Sequence, residues 1–74
     1  MRIIAAQPCH YDYKTGEAKP VGEPVDTDAL AAINADGWEA VCRVDGEYNR
    51  VIWYTAWDAM PGEGQHYLAR VEEG

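Results

Sequence analysis

Asp45-Gly46 is the feature that most limits how this chain folds. An Asp-Gly pair between two strand-like runs is a strong signal for a two-residue hairpin, whose central positions need positive φ. Before it, Trp38 to Val44 alternates: Trp38, Ala40, Cys42 and Val44 face one way, Glu39, Val41 and Arg43 the other. After it, Val51 to Trp57 is the longest strand signal in the sequence. A two-residue loop sets Val44 opposite Glu47, Cys42 opposite Asn49, Ala40 opposite Val51 and Trp38 opposite Trp53. The two indoles then pair on the helix-facing side, which stabilises by about 0.2–1 kcal/mol and fixes the register.

A helix precedes this hairpin. Asp26 or Thr27 can cap its free amide donors, and Asp28 suits the positive end of its dipole. Ala29 to Ala35 are strong helix formers apart from Asn34, with Leu30 and Ile33 on one face. Gly37 is placed for the left-handed residue that ends a helix. So short a helix does not persist alone, so it must pack on the sheet. Upstream, Arg2 to Gln7 reads as a strand stopped by Pro8. Cys9 to Pro24 carries turn chemistry, with a small hairpin around Thr15-Gly16. Downstream, Met60 to Gly64 is a loop and His66 to Val71 a final strand, with Tyr67, Ala69 and Val71 toward the core. The expected fold is a single α+β domain over residues 1–74. It has a small antiparallel sheet of three to four strands, one short helix on one face, and the order β-α-β-β-β.

That register leaves Val41, Ile52, Tyr54, Ala56 and Leu68 together on the second face, which is too apolar for a face left in water. Either the loop from Cys9 to Pro24, with Tyr11 and Tyr13, folds over it, or a partner covers it. A homodimer through Val41, Ile52, Tyr54 and Leu68 is one such arrangement.

Charge narrows the partners. Thirteen acidic residues against six basic ones give a formal net charge of −7, spread along the chain. Direct nucleic-acid binding needs a basic face, which this composition does not supply. The plain reading is a surface kept acidic for solubility; the sharper one is a surface that attracts a basic partner, or occupies one in place of nucleic acid. Cys9 and Cys42 are too few for a disulfide framework, and no apolar run is long enough for a membrane span. A cytoplasmic location follows as the expectation.

Cys9, His10, Cys42 and His66 hold the right atoms for zinc, but no Cys-x-x-Cys or His-x-x-x-His spacing builds a compact site. Cys42, assigned to the core face, behaves there as a small hydrophobe. Cys9-His10 is no nucleophile–base pair, because neighbours on an extended segment point to opposite sides. No glycine pattern cradles phosphates. The expectation is a chain without catalytic residues, metal or cofactor. Trp57, Asp58 and Glu63 beside Tyr11 or Tyr13, together with Glu47, are the candidate partner-binding residues. The alternative is an oligomeric small-molecule or nucleotide binder holding a flat ligand against Trp53, Trp57 or Tyr54. A structural module with no ligand of its own is the third reading.

Leu30 to Val44, with Ala-Asp-Gly-Trp-Glu-Ala-Val at its centre, resembles a small bacterial and phage domain family of unknown function. Leu30, Gly37, Trp38, Glu39 and Val41 match that family's helix and Gly-Trp-Glu turn, and Tyr67 to Arg70 is similar to its closing strand. The family's aromatic first strand has its likeness at Tyr11 to Lys14 and departs from Met1 to Gln7. The resemblance implies a fold and no activity. In size and charge alone, the chain is also similar to small acidic phage inhibitors of bacterial defence of the anti-CRISPR type. That likeness implies an inhibitor occupying a basic, nucleic-acid-binding surface of a host protein.

Overall fold

Pro8 does not stop the first strand. In the computed structural model, which describes residues 1–73, β1 runs through it from Arg2 to Asp12. It is followed by β2 (Glu17–Pro20), α1 (Thr27–Asp36), β3 (Glu39–Arg43), β4 (Arg50–Tyr54) and β5 (Gln65–Glu72). The strands make one antiparallel sheet in the order β2-β1-β5-β4-β3. The α+β class is as expected, but the sheet has five strands and the element order is β-β-α-β-β-β.

The reason lies in which way Pro8 points. The Val21 amide donates to the Pro8 carbonyl (2.8 Å), so the backbone polar groups of Pro8 face β2. Its missing N–H therefore removes nothing from the long ladder with β5. β1 and β2 then close the hairpin expected at Thr15-Gly16. The Gly16 amide donates to the Asp12 carbonyl (2.7 Å) at φ 73, where a glycine is unstrained.

The helix forms where its caps place it. Asp26 accepts from the Ala29 amide (2.8 Å), and Gly37 donates back to Ile33 (3.0 Å) at φ 101. Asn34, the weak helix former, grips the sheet. The Ile3 amide donates to its Oδ1 (3.0 Å) and its Nδ2 donates to the Ile3 carbonyl (2.8 Å). This clasp sits at a register shift between Ile3 and Ala5, which lets both Ile3 and Ala6 face the helix. The core is Ile3, Ala6, Ile33, Ile52, Ala69 and Val71, flanked by Val25, Leu30, Trp38, Tyr54 and Tyr67.

The hairpin around Asp45-Gly46 is wider than its dipeptide implies. The Val44 amide donates to the Asn49 carbonyl (3.3 Å), leaving Asp45 to Tyr48 as the loop. Cys42 pairs with Val51 in place of Asn49, and Arg43 with Arg50. Asn49 is engaged elsewhere: its amide donates to Ala69 (3.0 Å), its side chain donates to the Val71 carbonyl (3.0 Å), and Oδ1 accepts from the Val71 amide (2.9 Å). A second shift at Val41 sets Ala40 opposite Ile52 in place of Val51, and Glu39 rather than Trp38 opposite Trp53.

Slippage of this kind exchanges the faces of a strand. Ile52, expected outside, is 0% exposed beneath the helix, and Tyr54 packs beside it. Trp38 packs against that core while Trp53 stacks on His66 on the other side, so the expected indole pair does not form. Cys42 leaves the core face for the same reason. Val41, Ile52, Tyr54 and Leu68 therefore share no surface, and the homodimer face built on them is corrected. Tyr67, Ala69 and Val71 lie toward the core as expected. Among the described residues, no helix is long and apolar enough to cross a membrane.

Candidate contact site at one end of the sheet

The second face is closed largely by the sheet itself. Val51, Cys9 and Gln7 on this side are buried although no helix covers them. The sheet curls enough that Tyr11 on β1 reaches Cys42 on β3, with β5 and β4 between them in the sheet order. That contact, ahead of burial, pushes the Tyr11 phenol up. Burial pushes the Cys9 thiol up, against a hydrogen bond from the Leu68 backbone that lowers it. Gln7 fastens the chain after β2, donating to the carbonyls of Pro8, Val21 and Gly22 (3.1, 3.0 and 3.1 Å). Tyr11 thus lies on this face from within the sheet; Cys9 to Pro24, expected as a loop folded over the face, is instead the end of β1, the strand β2 and the segment after it.

An aromatic group forms where β1 and β5 pair. His66 lies across from Cys9 on one side and Trp53 on the other. Its ring is 4.6 Å from Trp53 and 5.3 Å from each of Tyr11 and Tyr13, and the tyrosines meet edge-on at 4.9 Å. The Tyr13 hydroxyl is 2.6 Å from His66 Nε2. Burial, with His10 adding like charge, holds the imidazole below its usual range. A neutral ring can accept that hydroxyl proton. Trp53 is backed by Gly64, where even a methyl group would collide with the indole and with Thr55.

Antiparallel pairing collects the turns of this end. The β1–β2 turn, the β4–β5 loop and the start of β3 all lie beside the register positions Cys9, His66, Trp53 and Glu39. Tyr13 (70% exposed), Trp57 (84%) and Met60 (67%) project there. So do Asp12, Glu17, Asp36, Glu39, Asp58 and Glu63, against Lys14 and Lys19. At the other end Arg2, Arg43, Arg50 and Arg70 balance Asp45, Glu47, Glu72 and Glu73. The aromatic end thus carries four of the seven net negative charges and the opposite end none; Glu23, Asp26 and Asp28, before and at the start of α1, carry the other three.

Of the residues singled out in the sequence, Tyr11, Tyr13, Trp57, Asp58 and Glu63 come to one end. Glu47 does not: it lies in the β3–β4 loop at the opposite end, where its carbonyl accepts from Arg70 Nη1 at 3.5 Å. Trp53, Tyr54 and Trp57 do not converge on one ligand, since Trp53 and Tyr54 lie on opposite faces and Trp57 is in a loop. His66, Glu39 and Gly64 were not among the partner-binding candidates, and Trp53 was singled out only as a platform for a flat ligand. The alternation at residues 38–44 hid the shift at Val41, and Gly64 looked like any loop glycine. Among the described residues, no three His, Cys, Asp or Glu side chains converge to hold a metal ion, and both cysteines are free. Comparison with protein-family models, with curated proteins and with solved structures finds no match.

Proposed function

We propose that this chain is a non-enzymatic protein-binding module that docks its acidic, aromatic end on a basic surface of a partner protein. The observation that supports this most is the unequal charge of the two ends of the sheet, about −4 at the aromatic end against a balanced opposite end. The end that is short of cations also presents Tyr13, Trp57 and Met60 to solvent. Exposed aromatics amid a charged rim are the composition of a contact patch. On a partner that normally binds nucleic acid, this end would take the place of phosphates and so inhibit.

The test is capture of a partner from lysate on the immobilised full chain, at low and high salt, beside two variants. One combines Trp57→Ala, Asp58→Lys and Glu63→Lys. The other reverses Asp45 and Glu47 at the opposite end. A partner lost to salt and to the first variant but retained by the second is expected, because charge docking is screened and local. A partner indifferent to salt, or lost equally to both variants, would refute the reading.

A further inference from the structure

Between the β1–β2 turn and the edge strand β3 the curled sheet leaves a shallow open groove of about 340 Å³, lined by Tyr13, Glu39, Ala40, Val41 and Trp53. General charge attraction does not require such a groove. Its walls are two aromatic rings, one carboxylate and two small aliphatic side chains. The rings are held in place: Tyr13 by the His66 contact at 2.6 Å, Trp53 by His66 and the Gly64 backbone. Aromatic faces with a carboxylate beside them attract a cation and repel an anion. Aliphatic walls suit a methylene stem.

We propose that this groove receives one arginine side chain of the partner. The guanidinium lies over the rings of Tyr13 and Trp53 and forks onto the Glu39 carboxylate, while the stem runs along Ala40 and Val41. Arginine fits better than lysine because a planar fork stacks on a ring and pairs with a carboxylate at once, whereas an ammonium is a compact and strongly hydrated point charge. The opening has space for a single side chain, and the fixed rings reduce the ordering cost of binding. This inference rests on the docking reading above and names the group that the docking end recognises.

The experiment titrates the 15N-labelled full chain with a blocked Gly-Arg-Gly peptide at low salt, beside its lysine and citrulline counterparts. Shifts at Tyr13, at Glu39 to Val41 and at the Trp53 indole N–H are expected, weaker for lysine and absent for citrulline. Glu39→Gln should weaken the arginine peptide about fivefold to tenfold while leaving the rest of the spectrum in place. A silent groove, equal binding of citrulline, or an unchanged Glu39→Gln affinity overturns the proposal. If the groove is silent while the Trp57 triple variant still loses its partner, the groove fails and the docking reading stands. If arginine fills the groove but partner capture ignores the Asp58 and Glu63 reversals, the docking reading fails and the groove stands.

Discussion

Asn34→Ala separates two ways of reading a helix. On intrinsic propensity the change should help, since alanine is favoured over asparagine in a helix interior by about 0.5 kcal/mol. The structure gives the opposite sign. Asn34 satisfies both backbone polar groups of Ile3, whose side chain is fully buried. Truncation leaves an amide and a carbonyl unpaired at a partly buried register shift, each costing about 1–1.5 kcal/mol. Net of the propensity gain, the loss is about 1.5–2.5 kcal/mol. A chain of this length has on the order of 4–11 kcal/mol in all, so the change is large. It should lower the thermal midpoint by about 10 °C and the urea midpoint by about 1 M, both read by far-ultraviolet circular dichroism. Asn34→Asp should also destabilise, because a carboxylate accepts from the Ile3 amide but donates nothing to its carbonyl. An Asn34→Ala midpoint equal to or above that of the parent would refute the clasp.

Three further outcomes are expected. Ile52→Ala should cost about 2–5 kcal/mol, the range for a buried isoleucine, whereas a change within about 0.5 kcal/mol in a urea melt would return Ile52 to the surface where alternation alone had put it. Gly64→Ala should destabilise by about 1–3 kcal/mol and move the Trp53 indole resonance, since a methyl there collides with the ring and with Thr55; an unmoved resonance would mean that the glycine does not hold the indole. His66 should titrate below its ordinary value of 6.5, depressed by burial and then by His10. The unfolded chain then takes up the proton first as pH falls, so stability contributed by the neutral ring is present above about pH 6.5 and declines below it; a midpoint at or above 6.5 by NMR, or a pH 5–7 stability slope unchanged in His66→Gln, would count against this.

The helix was legible because its signals are local. Asp26 caps, Gly37 terminates, and Leu30 with Ile33 marks a face, each within one or two turns of chain. The small hairpin at Thr15-Gly16 and the inward side of β5 were legible for similar reasons. Register was not. Asp45-Gly46 does stand in the turn, but which residues pair across it is decided by Asn49, whose side chain bonds Val71, 22 residues away. One extra residue at Val41 then reverses inside and outside for part of the hairpin, and no periodicity in residues 38–44 reveals it. Pro8 misled in the same way: a proline ends a strand only when its missing donor was needed, and the neighbour that decides this is β2.

The candidate site follows from that unforeseen geometry. A chain of this size has one layer of helix, enough to cover one side of a five-stranded sheet. The uncovered side is closed by curling, which brings Tyr11 on β1 against Cys42 on β3 and buries Val51 on the intervening strand β4. Curling stops short of a closed barrel. The gap left between β3 and the β1–β2 turn becomes a groove, and Trp53, packed on His66 and Gly64, forms part of its wall. Folding and recognition therefore draw on the same residues at this seam. Substitutions at Trp53 or Gly64 should lower stability and arginine binding together. Those at Glu39, exposed on the rim, should change binding alone.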